Sequence, residues 1–145
     1  MTGKLFIVAT PIGNLNDITY RAIETLKNVD IVLAEDTRHS KKLFMHFEIS
    51  TPLKAFHEHN ERVKTESIIS ELNSGISIAL ISDAGTPLIS DPGYFLVSNA
   101  KKEGIEVVPI PGPSAIITAL SASGLASNSF SFFGFLPSKK IARIK

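Results

Sequence analysis

The sequence predicts an α/β domain built on an open, mostly parallel five-stranded sheet with helices on both faces. Three observations carry this expectation: short apolar runs of strand length recur along the chain, stretches with helical periodicity stand between them, and glycine- or proline-rich breaks separate the two. Strands that alternate with helices pair in parallel, because each helix carries the chain back across the sheet by a right-handed crossover.

Leu5 to Ala9 reads as the first strand, Thr19 to Lys27 as a helix, and Ile31 to Ala34 as the second strand. A helix from Thr37 to Phe47, a short strand near Leu53 to Phe56 and a helix from about Asn60 to Asn73 come next, with Gly75 placed to cap the helix end. Ile76 to Ile81 is a buried strand, Tyr94 to Lys102 a helix stopped by Gly104, Glu106 to Ile110 a strand and Ser114 to Ser123 a helix. The tail breaks the rhythm: Phe130, Phe132, Phe133 and Phe135 crowd together before Pro137, which reads as a strand in need of a cover. The expected division is an N-terminal α/β domain over residues 1–128, with 129–145 opening a linker or second domain that is largely absent.

At 145 residues, 43% hydrophobic and 20% charged, the chain is long and apolar enough for one domain with a substantial core. No apolar run approaches the roughly 18 residues of a membrane span, and the first strand begins too soon for a signal peptide, so a cytoplasmic protein is expected. The absence of cysteine excludes disulfides, thiolate metal sites and cysteine nucleophiles. A net charge of +1 is far from that of a dedicated nucleic-acid binder, so any RNA contact must be local. Two basic clusters are available for it, Arg38, Lys41 and Lys42 in mid-chain and Lys139, Lys140, Arg143 and Lys145 at the tail.

Ligands of open α/β sheets bind beyond the carboxyl ends of the strands, and four unusual loops leave strands here. The first, Ala9 to Thr19, has the position of a nucleotide loop but one glycine and no lysine, which argues against phosphate cradling. Glu35-Asp36-Thr37-Arg38-His39-Ser40 offers carboxylates and donors at the end of the second strand, or a plain helix cap. Ser82 to Gly93 holds two Asp, two Gly and two Pro, a long rigid segment suited to shaping a pocket. A D-x-D-G-T phosphatase reading fails there, because Ser82 and Ala84 stand where that chemistry needs carboxylates. In Pro109 to Ala115, Pro113 suits a first helical position and Gly112 a tight turn. His57 and His59 lack an evident third ligand, so no metal is expected.

Taken together, Ala9-Thr10-Pro11-Ile12-Gly13-Asn14-Leu15, Ala34 to Arg38, Ser82 to Pro87 and Pro111 to Ala115 resemble the tetrapyrrole methylase superfamily, specifically its branch acting on small-subunit ribosomal RNA. The resemblance implies two α/β domains with S-adenosyl-L-methionine between them, homodimers, and 2′-O-methylation of a cytidine ribose in 16S rRNA of the small ribosomal subunit. By position it implies cofactor contacts at Ile12, Asp83, Ala84, Gly85, Thr86, Ile89, Ser114 and Ala115. Asp36, Arg38 and Glu35 become the catalytic candidates, with His39 and Asp83 also placed to act as the base. Two alternatives stay open: a tetrapyrrole C-methyltransferase of the same superfamily, and a non-catalytic fragment that dimerises or binds RNA.

Overall fold

In the computed structural model, which describes residues 2–143, five strands form one all-parallel sheet in the order β3-β2-β4-β1-β5. They are β1 (Leu5–Val8), β2 (Ile31–Ala34), β3 (Leu53–Ala55), β4 (Ile78–Ile81) and β5 (Val107–Ile110). The helices are α1 (Tyr20–Asn28), α2 (Thr37–His46), α3 (Glu61–Asn73), α4 (Tyr94–Lys102), α5 (Ala115–Ala122) and a single turn, α6 (Lys140–Arg143).

The pleat sorts the strand side chains. Ala79 and Ile81 of β4 pack with Ala22 and Leu26 of α1 and Leu43 and Phe44 of α2, whereas Ile78 and Leu80 pack with Ile68 and Leu72 of α3 and Leu96 and Ala100 of α4. All four residues of β4 are buried, as a central strand covered on both faces requires. Each fully buried Leu or Ile contributes about 1.5–3 kcal/mol.

The crossovers through α1 and α2 step toward the β3 edge on one face, and those through α3 and α4 step back toward β5 on the other. Direction and face reverse together, so all four crossovers keep one hand. Between the neighbouring strands β2 and β4 the outgoing connections part in opposite directions, which makes that boundary the topological switch point where a ligand crevice opens.

One segment departs from the sequence expectation. The Phe-rich strand does not form: residues 123–139 carry neither strand nor helix, and Phe133 and Phe135 are 93% and 86% exposed. No strand pairs with these residues, and their apolar side chains stay half to almost fully exposed. Likewise α5, though apolar, buries none of its side chains. The strand expected at Glu106 to Ile110 forms as β5, an edge strand that carries Pro109 opposite Ile7.

Candidate functional site

The loops after β1, β4 and β5 meet at Gly85. Its N–H donates to the Thr10 carbonyl at 3.0 Å and its carbonyl accepts the Thr10 N–H at 2.9 Å, a two-bond bridge outside the main sheet. The buried Thr10 hydroxyl donates to the Ser82 carbonyl at 3.2 Å, and the Thr86 hydroxyl donates to the Pro113 carbonyl at 3.3 Å. Gly85 has φ +80°, and a Cβ there would lie 3.5 Å from Ile12 Cγ2 and 3.8 Å from the Pro113 carbonyl oxygen. The space would admit a methyl group, so it is the left-handed φ that suits glycine to the point where the three loops close.

Beside this junction lies a cavity of about 440 Å³, walled by Pro11 and Ile12 of the first loop, His39 and Lys42 of α2, and Asp83 and Ala84 of the third loop. Of the expected cofactor contacts, Ile12, Asp83 and Ala84 line it, and Gly85 and Thr86 are tied to the loops behind it. Ser114 caps α5 without a side-chain hydrogen bond and Ala115 begins that helix, while Ile89 stands half exposed. Glu35, Asp36 and Arg38 do not line this cavity; His39, one of the candidate bases, and Ser40 of the same segment do, as does Lys42, which no local motif assigns to a pocket wall.

The catalytic candidates behave differently from one another. Asp36 caps α2: its Oδ1 accepts the Arg38 N–H at 2.8 Å, and the Arg38 guanidinium donates to Oδ1 at 3.2 Å and to Oδ2 at 2.9 Å. That guanidinium holds the Asp36 carboxyl down to about 2, and Asp36 in turn raises Arg38. The neighbouring Glu35 goes the other way, raised first by burial and then by the charges of Asp83, Asp91 and Glu58. Asp91 is also raised by burial and by Asp83, against the pull of the Ser82 hydroxyl. Across the switch point, the Asp36 backbone N–H donates to Asp83 Oδ1 at 3.1 Å.

One buried carboxylate had no signal in the sequence. Glu61, at the start of α3, accepts the N–H groups of Gly93, Phe95 and Leu96 on a single oxygen, at 3.1, 2.8 and 3.3 Å. It caps α4 from another helix and thereby fixes the far end of the loop that carries Asp83 to Thr86. Gly93 has φ +128°, and any Cβ there would sit 2.7 Å from Leu80 Cδ2, so the capped end is packed tightly on the core. The His57 and His59 rings lie 5.9 Å apart, and among the described residues no group of three ligating side chains converges. No helix among these residues is long and apolar enough to cross a membrane. Lys145 of the basic tail lies outside the described residues.

The comparisons with known proteins agree with this architecture. Over 139 residues the chain is 62% identical to a protein from Vibrio cholerae serotype O1 named ribosomal RNA small subunit methyltransferase I, covering 96% of this chain and 48% of that one. A Haemophilus influenzae protein of the same name is 59% identical, with 99% of this chain and 50% of that one covered. The chain thus spans about half the length of the curated relatives it matches. The crystal structure of uroporphyrin-III-C-methyltransferase from Thermus thermophilus superposes with a TM-score of 0.66 at 23% identity, over 87% of this chain and 55% of that one, and shows the same fold. The model of the family described as Tetrapyrrole (Corrin/Porphyrin) Methylases matches residues 4–138, and the chain belongs to that family.

Proposed function

We propose that this chain forms the first half of a two-domain enzyme that transfers a methyl group from S-adenosyl-L-methionine to a cytidine ribose 2′-hydroxyl in 16S rRNA. The observation that carries the proposal is the convergence at Gly85 of the loops after β1, β4 and β5, in a chain about 60% identical to proteins named for methylation of this RNA. In this reading residues 1–128 are the first domain and 129–145 lead into the second, whose packing would cover α5 and the exposed phenylalanines. A homodimer and a cytoplasmic setting belong to the same reading. The tetrapyrrole alternative rests on the family's description and on likeness of fold at 23% identity, against about 60% identity to the relatives named for rRNA methylation.

The residues present fit one wall of such a cofactor site. S-adenosyl-L-methionine has no phosphate, and its carboxylate, ammonium and adenine suit backbone groups presented by small residues; Ala84, Gly85, Ser114 and Ala115 are small and lie at the loop junction. Bound there, the cofactor supplies a methyl group already activated by its sulfonium. The chain's own task is then to align the ribose oxygen and exclude water, where positioning contributes about 7–11 kcal/mol. In this reading Ile12, Asp83 and Ala84 line the cavity as cofactor contacts, and His39 and Lys42 share its wall on behalf of the substrate.

Of the candidate bases, His39 and Asp83 line the cavity, and between Glu35 and Asp36, which do not, charge rather than position makes the difference. Asp36, held to about 2 with both oxygens engaged by Arg38, is a poor proton acceptor at neutral pH. Glu35, raised by burial and three neighbouring carboxylates, is a better one. Asp36 and Arg38 then position the start of α2, and Asp83 orients the third loop.

The test is calorimetric titration of S-adenosyl-L-methionine and its demethylated product into this chain and into a polypeptide that also carries the second half, together with methyl transfer to small-subunit rRNA. Binding by the two-domain form, and methylation of a cytidine 2′-hydroxyl, is the expected result. Absence of cofactor binding by both forms overturns the proposal.

A further inference from the structure

We infer that the solvent face of α2 is a docking surface for the sugar–phosphate backbone of an RNA strand, laid against the mouth of the cavity. The choice of RNA rests on the methyl-transfer reading above; the surface itself rests on charge and placement.

Helix α2, Thr37–His46, contains Arg38, Lys41 and Lys42 with His39 and His46, and no carboxylate. Arg38, Lys42 and His46 recur every four residues, so they form one row along the helix, about 12 Å long at 1.5 Å per residue. Lys41 flanks that row. The Arg38 side chain is 89% exposed even while it holds Asp36, and only part of its guanidinium fork is engaged there. Among the described residues neither Lys41 nor Lys42 has a carboxylate within ion-pairing distance.

The excess is local. The whole chain has 15 Lys and Arg against 14 Asp and Glu, so α2 is basic because acids are concentrated elsewhere. The nearest concentration is at the same end of the sheet, where Glu58, Asp83 and Asp91 act on Glu35. A polyanion approaching this edge is repelled from the acidic side of the switch point and drawn to α2. His39 and Lys42 also wall the 440 Å³ cavity, so a backbone held on the row delivers its sugars to the cavity mouth. Contacts to phosphate fix register without reading bases, which is what a helix with two lysines and an arginine offers.

Fluorescence anisotropy of this chain with a labelled 20-nucleotide RNA, at several salt concentrations, tests the inference. The variant K41E/K42E is compared with K101E/K102E, which makes the same change in net charge at the far end of α4. We expect K41E/K42E to weaken binding at least tenfold at low salt and to flatten the log–log salt slope by about 1.4, because two lysines no longer neutralise phosphates of a single strand. K101E/K102E should stay within about twofold of the wild type, and thermal melts should show both variants folded. Equal weakening by both variants, no change in either, or no RNA binding by the wild-type chain overturns the inference. Displacement of the RNA by poly-glutamate at equal charge concentration overturns it in favour of an acidic polypeptide. RNA binding through α2 without cofactor binding in the titration above would sink the methyl-transfer reading and leave this surface standing.

Discussion

The backbone N–H of Asp36 donates to Asp83 Oδ1 at 3.1 Å, joining the loops after β2 and β4 across the boundary where the sheet's connections part. Asp83→Ala removes the acceptor, and a solvent-accessible bond of this kind contributes about 0.5–1.5 kcal/mol. Asp83→Asn keeps an oxygen in place. Urea unfolding should place Asp83→Ala below the wild type by about that amount and Asp83→Asn close to it; equal losses in both would mean that the charge, not the bond, matters.

Glu35 predicts a pH-dependent effect. Its folded-state pKa is raised from 4.5, so its stabilising contribution is present below that value and is lost as pH rises through the raised one. Glu35→Gln, neutral at every pH, should therefore melt above the wild type at pH 7, and the gap should close near pH 4. Thermal melts at the two pH values decide it, and a gap that widens toward acid would contradict the assigned cause.

The cap that Glu61 places on α4 predicts a loss that propagates to the site. Glu61→Ala leaves three N–H groups without their acceptor, and should cost about 2–4 kcal/mol given roughly 1–3 kcal/mol for a buried donor left unpaired. Glu61→Gln retains a carbonyl oxygen and should lose less than half as much. Amide exchange at Gly93 and Leu96 should accelerate in Glu61→Ala; unchanged exchange there would show that the cap is not what holds this end of the loop.

At the loop junction, Gly85→Ala has room for a methyl group but must hold a left-handed φ of +80°. The expected destabilisation is about 1–2 kcal/mol, read by denaturant unfolding. A neutral or stabilising result would show that the loop relaxes freely and that the closure at Gly85 is not rigid.

Most of the fold was legible because strand and helix signals agreed. Ile31 to Ala34 and Tyr94 to Lys102 fall where the apolar runs and flanking breaks place them, and the alternation alone implied a parallel sheet. The phenylalanine cluster misled for a physical reason: strand propensity at Phe130 to Phe135 needs a neighbouring strand or a covering layer, and these described residues have neither. Within the site the loops were legible as motifs, since rigid Gly- and Pro-containing segments announce themselves locally. The bonds between them were not. Asp36 and Asp83 are 47 residues apart, Glu61 and Gly93 are 32 apart, and no periodicity relates a carboxylate to an amide at such distances.

Pro109 bears on how this sheet can be joined to anything else. In β5 the carbonyls of Glu106 and Ile110 face β1, which turns Val107 and Pro109 outward, and Pro109 has no N–H to give. Its outward carbonyl accepts the Arg21 guanidinium at 3.4 Å. The margin beyond β5 thus offers an incoming strand a single donor, too little for a ladder, and a neighbouring polypeptide can meet this edge by stacking side chains but not by adding a strand to it.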